Sequence, residues 1–372
     1  MFLLSKYMTA IYPLYLLLKE LLGMILKALN INGILAPIPI IQGGMGVGIS
    51  LSGLAGAVAA EGGVGVISAA QPGFNWPGFD SNPLKANLEA LAYHIHTAKK
   101  NAKDGLIGVN IMCAVTNYAD YVKCCIENGA NLIISGAGLP TQLPALVRGT
   151  AVKIAPIVSS VKAAGILLKM WDKKLGETAD MIVVEGPKAG GHLGFKLAEL
   201  ETDMDYDTSV RGILEEVSHY EAKYDREIPT VFAGGVHDRA DIDHYLGLGC
   251  AGVQMATRFV ATEECDANES FKQAYIEAEK EDVTIVQSPV GMPGRSLNNA
   301  FIKNLLQGRP IISKCHTCIA GCDPATTAYC ITTALSNSAK GLINEGLVFC
   351  GANVDRVREM STVKKIMREL TL

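Results

Sequence analysis

The sequence lacks the features that mark membrane-spanning, secreted and nucleic-acid-binding proteins. The apolar N-terminal run Met8–Leu18 has only 11 residues and is interrupted by Pro13, so it is too short to span a bilayer. The basic start and small-residue cleavage site of a signal peptide are missing. The net charge of −4 leaves no basic excess for nucleic acid, and no block of like charges forms an interaction tail. We therefore expect a cytoplasmic protein with no stable membrane span and no nucleic-acid partner.

Residues 1–29 are predicted to form an apolar extension ahead of the folded part of the chain. Two interpretations stay open. The extension is either an amphipathic helix or the product of a start codon placed too early, because a chain that starts at Met24 would lead directly into the first strand. In both cases we expect residues 1–23 to be dispensable for the fold.

From residue 38 onward, short β-branched runs alternate with helix-like segments, which is the pattern of βαβ units and a parallel sheet. The runs are almost continuously apolar, as in strands that are covered on both faces. The predicted strands are Ile38–Ile41, Gly65–Ser68, Ile107–Met112, Leu132–Ser135, Lys153–Val158, Met181–Glu185, Thr230–Ala233 and Gly252–Met255.

Eight such units predict an α/β protein with a TIM-type (β/α)8 barrel at residues 30–310, followed by a cysteine-rich segment at residues 311–372. The stretch Lys196–Arg226 is longer than a standard βα connection and rich in acidic residues. We interpret it as an insertion over the barrel mouth that acts as a lid. The sequence leaves open whether the protein is a homo-oligomer.

The ends of the seventh and eighth strands carry the residues of a phosphate site. Gly234 and Gly235 follow the seventh strand and allow a close approach of the backbone, while Ala256 and Thr257 follow the eighth and offer N–H donors and a hydroxyl. In these barrels the loops after strands seven and eight commonly bind phosphate. The alternative is that the glycines only permit tight turns.

His192 is the candidate catalytic residue. It follows Gly190 and Gly191 directly after a buried strand, so we expect it to face the barrel mouth. Its imidazole can take or give a proton near neutral pH. The alternative is a histidine that only hydrogen-bonds to the loop backbone.

Five motifs together resemble the nitronate monooxygenase family, formerly called 2-nitropropane dioxygenase, which includes the flavin-dependent enoyl-acyl-carrier-protein reductases. The motifs are Gln42–Gly46, Val109-Asn110, Glu185–His192, Ala233–Gly235 and Gln254–Arg258. The Ala-Gly-Gly-His run that ends at His192 is the most specific of them. The family usually has an acidic residue before this run, whereas this chain has Lys188, which leaves the substrate open.

The resemblance implies non-covalently bound FMN and a small-molecule substrate. The phosphate would lie at Gly234, Gly235, Ala256 and Thr257. The other predicted cofactor-binding residues are Gly43, Gly44, Met45, Asn110, Glu185, Gly190, Gly191, Gln254 and Met255. The histidine that matches His192 is a catalytic base or an orienting group for the nitro compound in nitronate oxidisers. In the reductases it lies beside the flavin and the substrate or nicotinamide.

Three functions follow in order of preference. The first is a nitronate monooxygenase that oxidises alkyl nitronates with O2. The second is an NAD(P)H-dependent flavin enoyl-thioester reductase, and the third is a barrel that binds a phosphorylated ligand without redox chemistry. A Schiff-base lysine or paired carboxylates at the strand ends would favour the third.

The last part of the chain carries a possible metal centre. Cys315, Cys318, Cys322 and Cys330 have a spacing that suits an iron–sulfur cluster or zinc. The alternative is a set of buried thiols in a reducing cytosol.

Overall fold

The computed structural model describes residues 26–202 and 204–372, so most of the predicted extension lies outside the described residues. The strands follow one another along the chain as β1 (Leu29–Ile31), β2 (Ile34–Ala36), β3 (Ile40–Gln42), β4 (Val64–Ser68), β5 (Leu106–Met112), β6 (Leu132–Gly136), β7 (Lys153–Val158), β8 (Ile182–Glu185), β9 (Gly191–His192), β10 (Thr230–Ala233), β11 (Gly252–Met255), β12 (Val283–Gln287) and β13 (Pro293–Leu297).

Eight of these strands are parallel and close into a barrel in the order β3-β4-β5-β6-β7-β8-β10-β11, with β11 paired back to β3. This confirms the predicted TIM-type barrel. Each of the eight predicted strands is present; three have the predicted bounds, and the ends of the other five differ from the prediction by at most two residues.

The barrel has a packed interior and one closed end. Val64 and Val66 of β4 point into the interior, whereas Ile67 packs under the outer helices, which explains why the strand is apolar throughout. The hairpin β1–β2 adds Leu29 and Ile31 to the interior cluster. It therefore plugs the N-terminal end of the barrel, and only the C-terminal end of the strands can hold a site.

The helices, in chain order, are α1 (Ser52–Ala60), α2 (Pro83–Asn101), α3 (Tyr118–Glu127), α4 (Leu143–Val147), α5 (Val161–Leu175), α6 (Leu197–Leu200), α7 (Tyr206–Tyr224), α8 (Arg239–Gly247), α9 (Thr257–Val260), α10 (Glu269–Ile276), α11 (Ala300–Leu305), α12 (Ile331–Ala339) and α13 (Val363–Thr371). Short 3-10 helices lie at Lys280–Asp282, Ile343–Glu345 and Val354–Arg356. Within the described ranges, no helix is long and apolar enough to cross a membrane.

The expectation of a lid at Lys196–Arg226 is wrong. Most of this stretch is α7, which packs on α5 through Val210, Ile213 and Val217. Its acidic residues, such as Glu215, lie on the solvent side of an amphipathic helix. The stretch is therefore the ordinary outer helix of the unit that begins with β8.

The barrel mouth is instead covered by residues 261–362, which we call the excursion. The helix directly after β11, α9, has only four residues, and the chain returns to the outer layer at α13. Helix α13 packs between α1 and α8, which is the place of the eighth barrel helix. The C-terminal residues thus complete the barrel, while the predicted domain bounds themselves stay a prediction.

Truncation of the buried face of α13 should destabilise the whole barrel. Leu370 is fully buried in the main core, so Leu370→Ala should lower the free energy of unfolding by about 2–5 kcal/mol. The measurement is urea unfolding followed by circular dichroism. Lys364→Ala, on the exposed side of the same helix, is the control and should change stability by less than about 0.5 kcal/mol. Equal stability of the two variants would show that α13 is peripheral.

Candidate active site

One cavity of about 230 Å³ opens at the C-terminal end of the barrel strands. Every cofactor-binding and catalytic residue predicted from the sequence lines it: Gly43, Gly44, Met45, Asn110, Glu185, Gly190, Gly191, His192, Gly234, Gly235, Gln254, Met255, Ala256 and Thr257. The structure therefore brings the predicted residues together from five strand ends, and their individual roles stay predictions.

The turn after β3 forms one wall of the cavity. The buried side chain of Gln42 donates to Gly43 O and accepts from Val66 N at 3.1 Å, so it fixes the turn to β4. A Cβ atom at Gly44 would lie 2.4 Å from Asn110 Cβ. The backbone of the turn consequently lies against Asn110, and this wall offers a flat surface without a side chain.

Three loops meet at the predicted phosphate site. Gly234 and Gly235 have φ of +110° and +84°, in the region that favours glycine. Gly235 O accepts from Asn353 Nδ2 at 2.7 Å, and a Cβ atom at Gly351 would lie 2.5 Å from Thr257 Oγ1. The excursion therefore contacts the loop that carries Gly235 and the loop that carries Thr257. The three segments together form a narrow recess lined by backbone atoms.

His192 is held by the excursion as well as by its own loop. It lies on β9, which pairs with β13 so that His192 is opposite Gly294. Its Nε2 lies 2.7 Å from Ser288 Oγ, and its ring packs edge-to-face on Phe349 with 4.9 Å between ring centroids. Burial lowers the pKa of His192 to about 4, so the imidazole is neutral at pH 7.

A carboxyl group that lines the cavity lies near a buried guanidinium. Glu185 Oε2 accepts from Gly194 N at 3.0 Å. Burial raises the pKa of Glu185 to about 7, although the Gly194 hydrogen bond and the charge of Arg295 oppose the rise. Arg295 is 7% exposed and donates to Ala189 O. The site therefore contains one carboxyl that titrates near neutrality beside a buried cation.

The residues present fit a flavin. Gln254 Oε1 is buried beside the Gly43 turn and accepts no hydrogen bond from the described residues. Such an atom costs about 1–3 kcal/mol unless a ligand donates to it, and a heterocyclic N–H would do so. Met45 and Met255 add apolar walls, and the glycine recess suits a phosphate at the other end.

The family model described as nitronate monooxygenase matches residues 29–372. The chain belongs to the nitronate monooxygenase family. This confirms the resemblance inferred from the five sequence motifs.

Curated relatives differ in what they are named for. The chain is 26% identical over 268 residues to (3aS,4S,5R,7aS)-5-hydroxy-7a-methyl-1-oxo-octahydro-1H-indene-4-carboxyl-CoA dehydrogenase of Rhodococcus jostii, which covers 72% of this chain and 64% of that protein. It is 27% identical over 290 residues to a probable nitronate monooxygenase of Staphylococcus haemolyticus, covering 72% and 77%. The chain thus spans less than two thirds of the length of the first of these relatives.

Among solved structures, FabK from Thermotoga maritima superposes with a TM-score of 0.67 at 24% identity, covering 89% of this chain and 91% of FabK. This structural similarity supports the (β/α)8-barrel fold of the chain.

Sequence reasoning missed the site residues that come from the excursion. Ser288, Arg295, Phe349, Gly351 and Asn353 contact the predicted loops from positions far along the chain. The turn-forming run Ser288–Arg295 and the glycine in Phe349–Asn353 were the available signals.

The four predicted metal-binding cysteines lie outside the cavity. Cys315 is exposed, and Cys318, Cys322 and Cys330 are half-buried. Burial raises the pKa of Cys318, and the nearby Cys330 and Cys322 raise it further, so the thiols are neighbours. Across residues 26–202 and 204–372, however, no three His, Cys, Asp or Glu side chains are arranged to hold a metal ion. The metal centre therefore stays a prediction.

A branched side chain at Gly235 should prevent flavin binding. A Cβ atom there would lie 2.8 Å from Lys188 Cβ, and φ is positive, so Gly235→Val should distort the recess and yield folded, colourless protein. The measurement is the flavin absorbance per chain, with circular dichroism to check the fold. Gly247→Ala, where no atom lies within 4 Å, is the control and should keep its flavin. Full loading of Gly235→Val would contradict the phosphate assignment.

Glu185 should make stability depend on pH. Because its folded pKa is raised above the unfolded value, its ionisation should destabilise the protein as pH rises from about 4.5 to about 7. Glu185→Gln should therefore gain stability relative to the wild type between about pH 5 and about pH 8. Urea unfolding at both pH values measures this, with the exposed Glu215→Gln as control. A pH-independent difference would show that the carboxyl is not desolvated.

Proposed function

We propose that the chain is an FMN-dependent oxidoreductase that oxidises small alkyl nitronates with O2. The observation that carries the proposal is a cavity that combines a glycine-lined recess, an amide oxygen buried without a hydrogen bond from the described residues, and a neutral imidazole. Membership of the nitronate monooxygenase family supports the same reaction.

The residues divide the binding task by position. Gly234, Gly235, Ala256 and Thr257 would hold the FMN phosphate, while Gly43, Gly44 and Asn110 would lie along the ring. Gln254 Oε1 would accept a hydrogen bond from a ring N–H, which satisfies its buried oxygen. Bound flavin would supply the redox chemistry.

The other side of the cavity would bind the substrate. A nitronate is a small anion, and the buried cation Arg295, which donates to the O atom of the cavity-lining Ala189, would add positive charge near Glu185. His192 would contact a nitronate oxygen, because its neutral ring faces the cavity beside Phe349. Phe349, Leu335 and Leu347 would exclude water around the reacting atoms.

An NAD(P)H-dependent reduction of an enoyl thioester is the second candidate. The match to the Rhodococcus jostii protein, whose name contains a CoA thioester, favours it. In that case NAD(P)H would bind next to the same cavity, because the residues proposed to hold the flavin are the same for both candidate functions.

A non-redox phosphate-binding barrel is disfavoured. Among the cavity-lining residues of the described chain, Lys188 is the one lysine and Glu185 the one carboxylate. The cavity formed by the described residues therefore has neither paired carboxylates nor a strand-borne lysine for isomerase or aldolase chemistry, since Lys153 at the start of β7 does not line it.

Two parallel assays test the function. The holoenzyme in air should consume O2 with propionate 3-nitronate or an alkyl nitronate, and should not reduce an enoyl thioester with NAD(P)H. His192→Ala should keep its flavin and lose activity by about 100-fold or more, since loss of one positioned donor to a developing negative charge typically costs about 100- to 1,000-fold. Reduction of the thioester alone would favour the second candidate, and wild-type rates in His192→Ala would show that His192 is structural.

A further inference from the structure

We propose that Ser288 is a positioning residue that holds His192 in the tautomer with its proton on Nδ1, so that His192 presents an N–H donor to the substrate. The inference rests on the proposed function, because it specifies how His192 meets a substrate oxygen. Ser288 lies on the connection between β12 and β13 and is 3% exposed, so its hydroxyl contacts protein groups rather than solvent.

Contacts on several sides fix the position of the His192 ring, whichever of its nitrogens carries the proton. The pairing of β9 with β13 sets its backbone, and Leu193 N donates to Pro293 O at 2.9 Å. Phe349 holds one edge of the ring, and Ser288 Oγ lies 2.7 Å from Nε2. Nε2 therefore points to the excursion. Nδ1 has no hydrogen bond to the described residues and is not buried, which leaves it for a ligand in the cavity.

The surroundings of Ser288 decide which atom donates. A hydroxyl donates one hydrogen and accepts up to two. Val290 N donates to Ser288 Oγ at 3.3 Å. The hydroxyl of Tyr329 is buried and has no hydrogen-bonding partner among the described residues, so it does not donate to Ser288. Within the part of the chain that the structure describes, His192 Nε2 is the one acceptor within hydrogen-bond distance of the Ser288 hydroxyl, so Ser288 directs its buried hydrogen to Nε2 rather than leave it unpaired.

This arrangement determines what His192 can do. The pKa of His192 is about 4 because of burial, so the ring is neutral and carries a single N–H. If Nε2 accepts from Ser288, that N–H is on Nδ1. His192 then stabilises negative charge on a substrate oxygen as a donor and does not remove a proton. A nitronate is already deprotonated, so its oxidation needs no base at this position.

The tautomer can be measured without turnover. In holoenzyme labelled with 15N-histidine, the His192 signal, identified by its loss in His192→Gln, should show an unprotonated Nε2 and a protonated Nδ1. Ser288→Ala should shift it toward a mixture of tautomers, and Ser288→Thr should restore it. In the same variants kcat/KM for the nitronate should fall about tenfold with Ala, the effect of one lost hydrogen bond, and recover with Thr. Ser270→Ala, an exposed hydroxyl on α10, is the control.

The outcomes separate this proposal from the proposed function. A protonated Nε2 in the wild type would overturn the assignment, as would an unchanged tautomer and rate in Ser288→Ala. If nitronates are not oxidised but the Nδ1–H tautomer depends on Ser288, the function fails and the positioning role stands. Should Ser288→Ala not fold, the wild-type spectrum and Ser288→Thr still decide between the two tautomers.

Discussion

The pairing of the two-residue strand β9 with β13 is the contact on which the site depends. It joins the loop after β8 to the excursion at His192, and several bonds around it bind the same two segments. Arg295 donates to Ala189 O and Ala352 N donates to Lys188 O at 3.1 Å, while Cys350 N donates to Arg295 O at 3.1 Å within the excursion itself. A Cβ atom at Gly190 would lie 2.6 Å from the Cys350 backbone, so the contact requires glycine there. The loop that carries His192 is consequently part of a small sheet.

The same contact explains the electrostatics of the site. By covering the strand ends, the excursion removes water from His192 and Glu185, and burial shifts both pKa values toward the neutral form of each group. Arg295 lies under the same cover and partly compensates the carboxylate. In a cavity from which water is excluded the effective dielectric constant is low, so each hydrogen bond to a ligand is electrostatically stronger than in water. A neutral imidazole with its N–H held on Nδ1, as proposed for His192, is therefore better suited to bind an anion here than a titrating imidazole would be.

The sequence was sufficient for the barrel and for half of the site. Each barrel strand is a short β-branched run such as Ile182–Glu185, and the fold places the residues that follow these runs at one rim. Residues contributed by the excursion could not be located in this way. The antiparallel pairing of β9 with β13 joins segments about 100 residues apart, and a two-residue strand leaves no hydrophobic period to recognise. The acidic stretch Lys196–Arg226 was misread because its charges lie on the exposed face of α7, whose buried face is the informative one.

The separate origins of the two parts of the site, the strand ends and the excursion, also explain why the motifs identify the family and not the substrate. The residues from the strand ends surround the expected cofactor, whereas the wall opposite them consists of Phe271, Tyr275, Leu335, Leu347 and Phe349 from the excursion. A family can keep the first set and change the second, and the substrate would change with it. The C-terminal cysteine Cys350 belongs to the second set, because it lines the cavity and precedes the glycine that lies against Thr257. We therefore expect changes in the excursion to act on the reaction through its contact with the loop that carries His192.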